Sequence, residues 1–257
     1  MGRELLARKK REASPVLRDI ACRDDGSKRR ILYAEDQSST RIVTTALLIR
    51  MGFEVEAVED GELALEKART SAFDIILLDI EMPNMDGVTA ARHIKADKGP
   101  CQHTPIMAMS AFLADSTEHS VWRDAFDSAL PKPANSNELL HALSKVIDGK
   151  RDFAPSDPTR VLPSLWHDLT EGLPRGTRTL MVKTATQELH HLILALSSCI
   201  EAGDQADVDL VHGKLQSLAG NFEVTGLVDI LSTRQNLRDD IVPMLMTVAK
   251  WQAAYVN

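Results

Sequence analysis

Between residues 30 and 147, five short apolar runs alternate with five amphipathic stretches, and nothing else in the chain constrains its fold as tightly. The runs are RILYA (30–34), EVEAV (54–58), DIILLD (74–79), PIMAM (105–109) and SALP (128–131). The stretches between and after them, TRIVTTALLIRM, GELALEKART, GVTAARHIKAD, ADSTEHSVWRDA and NSNELLHALSKVI, have helical spacing. Strands alternating with helices build a parallel sheet, because each crossover lays a helix on one of its faces. The expected fold is an α/β doubly wound five-stranded parallel sheet. Ligands in such sheets bind beyond the carboxyl ends of the strands, so residues there hold the chemical interest.

A proline-rich segment, GKRDFAPSDPTRVLPSLWHDLTEGLPRGT (149–177), breaks the pattern and reads as a linker, with room for a short helix near Leu165. Beyond it the spacing is purely helical. TLMVKTATQELHHLILALSSCIEA forms a long helix ended by Gly203, and Asp204 is placed to cap the next. Further helices are expected at about 226–238 and 240–254, giving an all-α four-helix bundle. The expected divisions are a basic arm (1–28), the sheet domain (29–149), the linker (150–177) and the bundle (178–257).

The net charge of −7 argues against a general nucleic-acid surface, and no basic helix-turn-helix stands apart from the two domains. The first thirty residues carry a net +5 and the remainder −12. No apolar run approaches bilayer length; LILALSSCI (192–200) is short. The basic N-terminal residues lack the apolar segment of a secretory signal. Cys22, Cys101 and Cys199 are far apart and odd in number. The expectation is a cytoplasmic protein with reduced thiols, no DNA partner and no membrane insertion.

Three carboxylates fall at the ligand edge of the sheet: Glu35 and Asp36 after the first strand and Asp79 at the end of the third. Ser110 follows the fourth strand, and Lys132 follows the fifth between two prolines. A hard cation such as Mg²⁺ takes carboxylate and carbonyl oxygens and is often held beside a phosphate. Phosphoryl transfer needs an in-line nucleophile and positive charge on the equatorial oxygens. Asp79 can be the nucleophile, the metal and Lys132 the charge, and Ser110 a hydroxyl donor.

With AEDQ, LLDIEMPNMDG, MSA and PKP in order, residues 30–147 resemble the receiver domain of bacterial two-component response regulators. The resemblance implies a flavodoxin-like fold and Mg²⁺ bound by Glu35, Asp36, Asp79 and the backbone carbonyl of Glu81. It implies that Asp79 becomes the acyl phosphate, the receiver catalysing its own phosphorylation and dephosphorylation with no separate catalytic domain. The expected partners are a sensor histidine kinase or phosphotransfer protein, or another receiver. One position departs from the family. Ala129 stands where an aromatic ring usually reports phosphorylation to the outer face.

Residues 178–257 resemble a histidine phosphotransfer (HPt) domain, through CIEAGDQADVDLVHGKLQSLAGNFEVTGL. Leu215, Ala219, Gly220, Asn221, Phe222 and Leu227 fall in the family's register, which puts Gly213, not His212, at the phosphohistidine position. Val208, Val211, Leu215, Leu218 and Phe222 define a buried stripe. His212 lies about 90° from its centre, with Gly213, Ser217 and Gly220 on an outward face. Two readings follow. His212 is the candidate phosphohistidine of a relay that exchanges phosphate with Asp79, or the bundle is a docking module gated by phosphorylation of Asp79.

Overall fold

A computed structural model describes residues 20–110, 123–132, 136–149, 152–153, 175–233 and 237–256. Most of the basic arm, most of the helix expected at 114–125 and the short helix expected near Leu165 lie outside the described residues.

The sheet domain runs β1 (Arg30–Ala34), α1 (Ser38–Met51), β2 (Glu54–Val58), α2 (Gly61–Thr70), β3 (Ile75–Asp79), α3 (Gly87–Ala96), β4 (Ile106–Ser110), β5 (Ser128–Pro131) and α4 (Ser136–Ile147). Strand order is β2-β1-β3-β4-β5 and then a sixth strand, β6 (Asp152–Phe153), every neighbouring pair parallel. The five expected strands and their doubly wound arrangement are present. The sixth comes from the stretch read as linker and pairs with Ser128 and Ala129. Two residues carry no periodicity to read, yet they satisfy part of an otherwise open sheet edge.

Alternation along the strands divides the core. Ile31, Tyr33, Ile75, Leu77, Met107 and Met109 share one cluster with α1 and α4, while Leu32, Ala34, Ile76, Leu78, Ile106 and Ala108 share another with α2 and α3. Residues 20–28 also join the domain. Ala21 is buried, and the Arg23 guanidinium grips Asp74 at 2.9 and 2.7 Å.

The C-terminal region is helical: α5 (Arg175–Ala202), α6 (Gln205–Asn221), α7 (Thr225–Thr233) and α8 (Leu237–Val256). Gly203, at φ +76°, ends α5, a backbone conformation that a side chain would strain. The Asp204 carboxylate caps α6 by accepting from the amides of Ala206 and Asp207. Helix α5 packs against α6 and α8, and α7 against those same two. The bundle then lies on α1 of the sheet domain through α5 and α6. One hydrophobic cluster runs from Tyr33 and Leu77 through Val43 and Leu47 into Leu189, Leu218, Phe222 and Val248.

Candidate functional site

Glu35, Asp36 and Asp79 converge beyond the carboxyl ends of β1 and β3, each offering an oxygen within 4.8 Å of the others. The Lys132 ammonium enters from the end of β5. It bonds Asp79 Oδ2 at 2.8 Å and also contacts Glu35 Oε2 closely. All three of these side chains are at least nine-tenths buried. Ser110 ends β4, and its carbonyl accepts from the Lys132 amide at 2.8 Å, which ties the lysine to the strand beside Asp79. The Glu81 carbonyl opens toward the same cleft.

Local chemistry fixes this edge. Arg41, one turn into α1, donates to the carbonyls of Glu35 (2.5 Å) and Asp36 (3.2 Å) and so holds the acidic pair in place. After β3 the chain turns through Asn84, at φ +62°, whose amide donates to Asp60 at 2.9 Å. Gly87 then starts α3 so close to β3 that a Cβ there would lie 2.0 Å from the Asp79 carbonyl oxygen. Only glycine allows that approach.

Burial pushes the Glu35 carboxyl up to about 8, with Lys132 opposing and Asp79 and Asp36 adding to the rise. Burial lowers Lys132, but Asp79 and Glu35 outweigh it and hold the ammonium above its ordinary range. Burial also raises Glu81, helped by Asp79. The cleft therefore holds more negative charge than its one sheet-domain lysine neutralises. Asp36 Oδ1 is buried without a hydrogen-bond partner. An oxygen left unpaired in a charged, buried cluster is the kind of ligand a hard cation takes.

A second ammonium reaches the cleft from the helical region. Lys214 of α6 bonds Asp36 Oδ2 at 2.5 Å and lies 3.5 Å from the Glu81 carbonyl. The Lys214 carbonyl accepts from the Gln37 side chain at 3.5 Å, and one face further along α6, Asn221 donates to Thr40 at 3.4 Å. From α5, Glu188 accepts from the Ser39 amide at the start of α1. Lys214 and Glu188 carry no sequence signature of their own. The spacing of Lys214, Ser217 and Asn221 on one face of α6 was the available signal.

His212 is not in this constellation. It is 1% exposed, and its Nε2 donates to the Leu231 carbonyl of α7 at 3.0 Å. Two residues along a helix turn by about 200°, so His212 and Lys214 leave α6 on opposite flanks. The outward small face expected of Gly213, Ser217 and Gly220 is corrected. Gly213 and Ser217 are buried, because α6 lies against the sheet domain instead of facing solvent.

A family model for the response regulator receiver domain matches residues 31–144. The sensor protein GacS of Pseudomonas syringae is 32% identical over 118 residues, 45% of this chain and 13% of that protein. The transcriptional activator protein PfeR of Pseudomonas aeruginosa is 37% identical over 153 residues, 57% of this chain and 49% of that protein. The chain thus spans less than half the length of either relative. Among solved structures, the receiver domain of the sensor histidine kinase PA1611 from Pseudomonas aeruginosa is 30% identical, covering 48% of this chain and 99% of that one, with a TM-score of 0.44. Among the described residues no helix is long and apolar enough to cross a membrane. The fold, the acidic strand ends and the family match agree: residues 31–144 of this chain are a response regulator receiver domain.

Proposed function

We propose that this protein is a response regulator of a two-component phosphorelay in which Asp79 accepts a phosphoryl group and thereby gates an HPt-like docking module, residues 178–257. The observation that carries the reading is the Asp79 carboxylate bonded to Lys132 at 2.8 Å inside a buried acidic cleft. The cation-binding part rests on the unpaired Asp36 Oδ1. Mg²⁺, held by Glu35, Asp36, Asp79 and the Glu81 carbonyl, supplies positive charge to the phosphoryl oxygens when bound.

The other groups divide the work. An Asp79 oxygen attacks phosphorus as the bond from phosphorus to the donor breaks, and the leaving group departs with the electron pair. Lys132, already against Asp79, offers its charge to the equatorial oxygens, and Ser110 a hydroxyl. The donor is a sensor histidine kinase or phosphotransfer protein. Asp79 relaying phosphate to His212 is the weaker reading, because a phosphoryl group on His212 Nε2 would break the buried bond to Leu231. Intact-mass spectrometry after treatment with a small phosphodonor and Mg²⁺ tests the assignment. One phosphate should appear on the wild-type chain and none on Asp79→Asn; undiminished labelling of the variant would overturn it.

A further inference from the structure

Lys214 occupies the cleft beside the Asp36 carboxylate, on the oxygen next to the unpaired Oδ1, and beside the Glu81 carbonyl, the two groups a cation there would also use. Its ammonium is 2.5 Å from Asp36 Oδ2 and 3.5 Å from the Glu81 carbonyl oxygen. We propose that Lys214 is a built-in competitor for the divalent cation, held in the cleft by the docked helical region. The proposal rests on the cation-site reading above, and adds a residue from outside the receiver that governs access to it.

Charge explains why the ammonium sits there. Lys132 serves the Glu35 and Asp79 side of the cleft, leaving Asp36 to be neutralised from elsewhere. Lys214 supplies that charge at its far side, three-quarters buried. A Mg²⁺ ion binds oxygen at about 2.1 Å. Bound to Asp36 and to the Glu81 carbonyl, it would stand nearly in contact with the ammonium. Two cations so close in a cleft shielded from water repel strongly, so each excludes the other.

The lysine is also not a freely swinging surface residue. Its backbone carbonyl is anchored by Gln37, next to Asp36 in the chain. Its helix is anchored by Asn221 on Thr40, and the adjoining helix by Glu188 on Ser39. Four of the five receiver residues named, Asp36, Gln37, Ser39 and Thr40, lie at the junction of β1 and α1; the fifth, Glu81, follows β3. Cation binding and docking are therefore linked, and by reciprocity whatever favours one disfavours the other. The helical region thus presents a lysine to the phosphoacceptor cleft.

Calorimetric titration of the full chain with MgCl₂, in wild-type, Lys214→Met and Glu188→Ala forms, tests this. If the cleft is open in about a tenth of wild-type molecules, the apparent Kd is about tenfold weaker than the intrinsic one. Both variants should then bind Mg²⁺ about tenfold more tightly than wild type. The pair separates competition from a mere charge effect. Glu188→Ala removes a negative charge, which alone would weaken cation binding, whereas loosening the dock strengthens it. Wild-type binding matched by Lys214→Met would overturn the proposal and leave the receiver's cation site standing. Tighter binding in Lys214→Met with none gained in Glu188→Ala would reduce Lys214 to a nearby charge and also overturn it. No Mg²⁺ binding in any form, including Lys214→Met, would instead sink the cation-site reading on which it rests.

Discussion

Glu188 of α5 caps a helix in the other half of the molecule: both its carboxylate oxygens accept from the Ser39 amide at 3.2 Å, and the Ser39 hydroxyl donates to Oε2. Helix α1 needs this. Its own N-cap residue, Gln37, makes no side-chain cap bond, and its first turn holds no acidic residue. A carboxylate at a helix N-terminus satisfies orphan amides and complements the helix dipole.

Glu188→Ala should therefore lower the stability of the chain by about 1 kcal/mol, the usual worth of a cap. Hydrogen exchange locates the effect. The Ser39 amide should lose more protection in the variant than the amides of β4, which lose only what the fall in global stability takes from the whole core.

Gly87→Ala should misplace Asp79 without touching any charge. A Cβ 2.0 Å from the Asp79 carbonyl oxygen forces α3 away from β3. Overpacking of this kind costs about 2 kcal/mol. The denaturant midpoint should fall accordingly, and Asp79 phosphorylation should slow even under conditions where the variant is fully folded.

His212→Gln should leave phosphate uptake by the full chain unchanged while lowering stability by about 1 kcal/mol, the worth of one buried hydrogen bond. Acyl phosphates are lost in alkali and phosphohistidine is retained, which separates the two sites. Alkali-stable label on the wild-type chain, lost in His212→Gln, would restore the relay reading.

The raised Glu35 carboxyl sets a pH dependence. Below about 8 it holds a proton in the cation-free protein, and a cation must displace that proton to bind. Mg²⁺ affinity should thus climb as pH rises toward 8, by about tenfold per unit at most, and then level off. Stability without cation should move the other way. The unfolded carboxyl ionises near 4.5 and the folded one near 8, so the contribution of Glu35 is full below 4.5 and is lost as pH rises to 8. Titration calorimetry and denaturation across pH 6 to 8.5 check both slopes.

Features that depend on neighbours in sequence were legible. The five strands announced themselves by short apolar runs, and Glu35, Asp36, Asp79, Ser110 and Lys132 by standing just past or at their ends. The buried stripe on α6 was also readable, but His212, expected at its margin, is fully buried against α7. What could not be read depends on long closures. Lys214 and Asp36 are 178 residues apart, and Glu188 and Ser39 are 149 apart. An isolated lysine or glutamate on a helix looks like a solvated charge until its partner is known. Gly213 was misjudged for the same reason, since the polar spacing of Lys214, Ser217 and Asn221 fits a solvated face as well as one covered by another domain. β6 was too short to leave any pattern.

The hydrophobic cluster that runs unbroken from Tyr33 to Val248 bears on how this protein could be taken apart. Domains joined only by a linker can be cloned, swapped and studied as independent parts. Here each part completes the other's interior, so a receiver cut free before α5 would carry a raw apolar face on α1. Heated, the intact chain should melt its receiver and its helices as one cooperative unit. A fragment of either half would then report on an interior that it only partly contains.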